Sequence, residues 1–144
     1  MRLFLFVIVW LAALPAAAFE FRSLNEAVVL YDAPSLKAKK LFVLGAGYPL
    51  EVVVSIEGWS KVRDASGEMA WVENRVLSAQ RTALVRMPLA DVRVEAAEDS
   101  RLSFQAEQNV VLEILEPPGN GWVKVRHRDG QEGYARVREL WGAQ

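Results

Sequence analysis

Apolar and polar positions alternate along this chain in short runs, each bounded by glycine, proline, asparagine or aspartate, and no stretch sustains the spacing of an amphipathic helix. The pattern predicts an all-β protein. Strands are expected over residues 27–30, 40–44, 50–56, 60–63 and 69–72, with a tight turn at Asn74-Arg75-Val76. In the third of these, Leu50, Val52, Val54 and Ile56 alternate with Glu51, Val53, Ser55 and Glu57, which directs the first set into a core and leaves most of the second in water. A second series is expected over residues 92–94, 110–116, 122–126 and 132–135. Residues 82–85 form either a strand that closes the first series or one that runs between the two.

The two series are copies of one unit. Gly58-Trp59-Ser60-Lys61-Val62-Arg63 is followed by the turn Asp64-Ala65-Ser66-Gly67 and by Met69-Ala70-Trp71-Val72. The same order returns as Gly121-Trp122-Val123-Lys124-Val125-Arg126, a turn ending Asp129-Gly130, and Gly133-Tyr134-Ala135. Leu50-Glu51-Val52-Val53 corresponds to Leu112-Glu113-Ile114-Leu115, and Pro117-Pro118-Gly119-Asn120 lengthens the second connecting turn by one residue. A repeat of this size divides the chain into domains at 19–79 and 80–144. Units of roughly 60 residues bury only about 60% of their unfolded surface, so the copies are expected to lean on each other across the short polar link Ser78-Ala79-Gln80-Arg81.

Gly-Trp-x-Lys-Val-Arg, a glycine-containing turn and Gly-aromatic-Val/Ala together resemble the signature of bacterial SH3-like domains. Ala27-Val28-Val29-Leu30-Tyr31-Asp32-Ala33-Pro34 is similar to the family's first strand and the start of its long first loop. The resemblance implies two tandem small SH3-like β-barrels. In peptide-binding members of signalling proteins the tryptophan equivalent to Trp59 and Trp122 lines a groove for proline-rich segments, and Tyr31 resembles a groove tyrosine. Where those members carry a proline and a tyrosine after the last hairpin, this chain has Glu73 and Arg75, then Arg136 and Arg138. A polyproline ligand needs stacked aromatics, so a different ligand is implied. Relatives outside the cytoplasm are associated with cell-wall peptides or envelope proteins. The expected partner is therefore a peptidoglycan peptide or an envelope protein.

The N-terminus supports export. Met1-Arg2, an apolar run over residues 3–14 and Pro15-Ala16-Ala17-Ala18 read as a signal peptide over residues 1–18, cut after Ala18. The rival reading is an uncleaved anchor, because the uncharged run reaches Phe19 and approaches the roughly 18 residues that span a bilayer. Pro15 and the small residues favour cleavage, and the expected mature protein is a periplasmic monomer with no stable membrane insertion. A formal charge of −1 points to neither nucleic acid nor an anionic membrane surface. The absence of cysteine excludes disulfides, thiol catalysis and cysteine-ligated metals.

Candidate chemistry is sparse. His127, the single histidine, sits between Arg126 and Arg128 beside a turn, with no nucleophile elbow to accompany it. Glu51, Glu57, Glu98, Asp99, Glu113 and Glu116 show no spacing that singles out a catalytic pair. Gly45-Ala46-Gly47 leads into a strand and reads as a turn, not a phosphate loop. No catalytic residue, metal or cofactor is expected.

The aromatics carry more information. Strand parity puts Trp59, Lys61 and Arg63 on one face, opposite Ser60, Val62 and Asp64, and places Trp122, Lys124 and Arg126 alike. With Val62 and Val125 inward, each tryptophan lies outside, where it either caps the barrel over its basic neighbours or meets a ligand. Trp71 and Tyr134 depend on a hairpin register the sequence leaves open. The expected ligand-binding set is Tyr31, Trp59, Lys61 and Trp71 in the first copy and Trp122, Lys124 and Tyr134 in the second. Trp141 is expected to pack against the last strand, or else to join that set. The first long loop carries Lys37, Lys39 and Lys40 where its counterpart carries Glu95, Glu98 and Asp99, so the two copies are not expected to take identical ligands. The alternative is a structural or assembly subunit with its aromatics buried between the barrels.

Overall fold

The computed structural model describes residues 19–144; the expected signal peptide lies outside the described residues. Glycine punctuation and β-rich runs yield two seven-stranded antiparallel sheets, joined end to end, with no α-helix among the described residues. The first copy comprises β1 (Glu20–Leu24), β2 (Val28–Tyr31), β3 (Lys40–Leu44), β4 (Pro49–Ile56), β5 (Trp59–Arg63), β6 (Met69–Glu73), a 3-10 turn (Asn74–Val76) and β7 (Leu77–Ser78). The second comprises β8 (Thr82–Val85), β9 (Leu89–Arg93), β10 (Leu102–Glu107), β11 (Val111–Ile114), β12 (Trp122–Arg126), β13 (Glu132–Arg136), a 3-10 turn (Val137–Glu139) and β14 (Leu140–Trp141). Strand order is β3-β2-β6-β5-β4-β1-β7 in one and β10-β9-β13-β12-β11-β8-β14 in the other, so every strand has its counterpart in the same place.

The all-β reading as two tandem copies holds, with four corrections in detail. β1 precedes the first strand expected from the sequence and pairs with both β4 and β7. β10 likewise falls outside the expected strands. Thr82–Val85 neither closes copy one nor runs between copies; as β8 it pairs with β11 and β14 and opens the second sheet. The alternation in β4 fails beyond Val52, because a bulge at Val53 pairs Val52 with Val62 but Val54 with Lys61. One extra residue reverses parity. Val54 and Ile56 therefore point outward and are each 45% exposed, while Ser55 turns toward Ser60, with their hydroxyls 3.0 Å apart. Ser60 in turn donates to Asn74 Oδ1 at 2.5 Å, and Asn74 Nδ2 donates to the Ile56 carbonyl at 3.1 Å.

Each sheet encloses its own core. Leu24, Leu30, Leu50, Val62, Ala70, Val72 and Val76 fill the first. Ala83, Val85, Val92, Leu112, Val123, Val125 and Leu140 belong to the second. Gly58 and Gly121 hold φ of +79° and +83° in the turns that launch β5 and β12, a conformation other L-residues adopt at a cost, which accounts for the Gly-Trp pair in both copies.

The copies also touch. The Phe21 ring meets Trp141 edge-on at 5.2 Å, and the Arg81 guanidinium lies 5.4 Å from the centre of Phe21. Thr82 Oγ1 donates to the Gly47 carbonyl at 2.6 Å, and Ser23 Oγ to that of Gln80 at 2.7 Å. Close-coupling is thus a matter of specific contacts. Trp141 is part of the last strand and packs on the other copy.

Candidate functional site

Each β5-type strand alternates between core and surface, and that alternation builds the site. Ser60 and Val62 are buried while Trp59, Lys61 and Arg63 are half-buried on the outside; Trp122, Lys124 and Arg126 repeat this around Val123 and Val125. The register that was open in the sequence is closed by pairing. Trp71 lies opposite Lys61, and Tyr134 opposite Lys124, so both rings stand on the outer face. Tyr31 lies opposite Trp71, and its ring meets Trp59 edge-on at 5.8 Å. In copy one the structure therefore brings Tyr31, Trp59, Lys61 and Trp71 onto one face, beside the outward Val54 and Ile56 supplied by the bulge.

Charge placement defines what remains available there. Arg63 Nη1 lies 3.1 Å from Glu51 Oε2, and Arg126 Nη2 lies 2.7 Å from Glu113 Oε2, so the same strand pair is tied in both copies. Lys124 Nζ is 3.7 Å from Glu116, whereas Lys61 makes no ion pair among the described residues. Arg75 pairs with Glu73 at 3.1 Å and Glu26 at 3.3 Å. The Glu73 carboxylate, reinforced by Glu26, pushes its guanidinium further up.

Copy two assembles Trp122, Lys124 and Tyr134 on the equivalent face but closes it differently. The place of Tyr31 is taken by Arg93, which donates to the Ser100 carbonyl at 2.6 Å and stands 3.6 Å from Asp91. Arg136 lies over the Trp122 ring, 5.0 Å from its centre, and forms a two-point ion pair with Glu98 from the long first loop. Its third partner is Glu139, at 3.5 Å. A hollow of about 420 Å³ lined by Glu98, Asn120, Trp122, Arg136 and Arg138 marks the groove. From the sequence, Glu98 is only one of the acids of the second long loop, and Arg136 stands where a groove aromatic is missing. The signal that pointed to them was the change from Glu73 to Arg136 at one repeat position together with the acid in the opposing loop.

A larger cleft of about 630 Å³ lies between the copies, bordered by Asn25, Gly47, Gln80, Asn109, His127 and Arg128. His127 Nδ1 is 3.0 Å from Asp129 Oδ1. The Gln131 amide, then this imidazole, holds Asp129 below the usual carboxylate range. Among the described residues no cluster of three histidines or carboxylates is placed to hold a metal ion.

Three solved structures are similar in part: NlpC2 and NlpC1 from Trichomonas vaginalis, each 18% identical, and an NlpC/P60 family protein from Bacillus cereus ATCC 10987, 15% identical. They cover 86%, 93% and 85% of this chain and 48%, 50% and 56% of their own, with TM-scores of 0.40, 0.39 and 0.40. The chain thus spans about half the length of these structures. No curated protein matches. The model of the bacterial SH3 domain matches residues 25–79 and again 87–142. Matched over both repeats, the chain belongs to the bacterial SH3 domain family, whose domains are generally binding modules and typically non-catalytic.

Proposed function

We propose that the protein is an exported, non-catalytic binding module of the periplasm that recognises a peptide-like ligand of the cell envelope, either a peptidoglycan stem peptide or a segment of an envelope protein. It works as a monomer, without cofactor and without nucleic acid. One observation carries this reading. Tyr31, Trp59 and Trp71 form a half-buried aromatic face beside Lys61, which has no ion pair among the described residues, with Val54 and Ile56 exposed next to it. Aromatic surface rimmed by charge suits a peptide, whose apolar side chains pack on the rings while its carboxylates meet the ammonium.

The rival reading, a scaffold subunit, draws on Phe21 and Trp141, which are the aromatics that meet between the copies. The candidate rings Trp59 and Trp122 lie on the outer faces. The test is retention of the purified protein on insoluble peptidoglycan and on immobilised envelope extract, with a Trp59→Ala/Trp122→Ala variant alongside. Retention by the parent that the folded variant loses supports the binding module. Equal retention of both, or a variant that cannot fold, makes the rings structural and favours the scaffold.

A further inference from the structure

Among the repeat positions that distinguish the two grooves, three differ together. Copy one has Leu36, Glu73 and Val76 where copy two has Glu98, Arg136 and Glu139. Leu36 projects 62% exposed from its loop, and Val76 is core. In copy two the three replacements form a single charged unit. Arg136 Nε donates to Glu98 Oε1 at 2.7 Å, a second N–H meets the other oxygen, and Nη1 lies 3.5 Å from Glu139 Oε1. The guanidinium is fixed in the floor of the groove, its side chain 12% exposed against Trp122, while the Glu98 side chain that reaches it is 69% exposed. Beside them Arg138 is exposed and has no ion pair among the described residues.

We propose that the second groove is a carboxylate site, in which a peptide ligand places a carboxylate on Arg136 and Arg138 with its neighbouring apolar group on Trp122. Glu98 occupies that place in the unliganded protein. This deepens the binding reading above and rests on it. The planar guanidinium fork matches a carboxylate at two points, so a ligand that replaces Glu98 keeps the same pairing. Glu139 stays as the permanent counter-charge, so the exchange leaves no unpaired charge in the groove. Displacing Glu98 is cheap because its end of the pair is in water. Copy one takes no such ligand at this position, since Glu73 stands where Arg136 does and Arg75 is held by Glu73 and Glu26.

The test follows the indole N–H signal of Trp122 by NMR, assigned with Trp122→Phe, during titration with three probes. These are N-acetyl-alanyl-alanine with a free C-terminus, its methylamide, and N-acetyl-alanyl-glutamate methylamide. The free acid is expected to shift the signal and the alanyl methylamide to leave it still; a shift with the glutamyl probe would show that a side-chain carboxylate also serves. E98Q, which removes the competing carboxylate, should tighten binding about two- to fivefold, in line with an exposed ion pair. R136Q should abolish the preference for the acid, and R136K should restore it only in part. Equal shifts from acid and methylamide, no shift from any probe, or unchanged affinity in E98Q each overturn the inference. Retention in the envelope assay alongside any of these results would leave the broader binding reading standing.

Discussion

At the scale of single residues, Tyr48 links a half-buried ring to a titration. Its hydroxyl accepts from the Ala65 amide at 3.2 Å and lies near Asp64. Burial, with Asp64 assisting against the opposing Ala65 amide, raises the phenol above its ordinary value of 10.0. The folded state therefore holds its proton where the unfolded chain has lost it. That contribution to stability is complete below the unfolded value and drains away as pH climbs from there through the higher folded value. Thermal midpoints measured at about pH 9 and about pH 11 should fall more for the parent than for Tyr48→Phe. Identical losses would mean that the ring does not titrate differently in the two states. The candidate site shows the same dependence on individual partners. Trp59 and Trp122 occupy one repeat position, yet one is met by Tyr31 and the other covered by Arg136. The Gly-Trp-x-Lys-Val-Arg pattern makes the tryptophans legible in the sequence. Their surroundings come from residues dozens of positions away, as with Arg136 and Glu98, and no local pattern records that meeting.

Among the elements, β4 carries the largest consequence of a small irregularity. The bulge at Val53 puts Ser55 with Ser60 and Asn74, and releases Val54 and Ile56 to the outer face. Deleting Val53 removes the extra residue, so Val52, Val54, Ser55 and Ile56 should pair with Val62, Lys61, Ser60 and Trp59 without a bulge, keeping Ser55 with Ser60 and Asn74 and the two aliphatic side chains outside. Because no buried polar group loses its partner, denaturant unfolding should change by no more than about 1 kcal/mol. A loss of about 1–3 kcal/mol would show instead that the Ser60 and Asn74 hydrogen bonds depend on the bulge itself. The strands most legible in the sequence were those in hairpins with glycine turns, β5, β6, β12 and β13. β8 was misassigned because all four of its residues are buried, so it shows no alternation and no face. β10 was missed for a related reason, since an irregularity between Leu102 and Phe104 interrupts its period. The Val53 bulge is hard to read from the sequence: Leu50 to Ile56 keeps its alternation apart from Val53 itself, and where the extra residue falls is set by the partner strand.

For the molecule as a whole, the coupling of the two copies rests on few groups, with Phe21 at their centre. It is 5% exposed, edge-on to Trp141 and beneath Arg81, whose guanidinium burial pulls down from its ordinary value. Phe21→Ala should cost about 3 kcal/mol and split a single calorimetric transition into two, because each core then melts without its neighbour. One transition at an unaltered midpoint would mean that the copies were never thermodynamically coupled through this ring. Identical strand order has a further effect while the chain is still folding. Every strand from β1 to β7 has a stand-in seven places along, so a nascent sheet can recruit the wrong one and close a hybrid barrel with the remaining strands left over. The divergence of the two grooves then acts as an address label: a hybrid that joins the β2–β3 loop to β13 would set Leu36 against Arg136 and leave that cation without the acid that belongs to it.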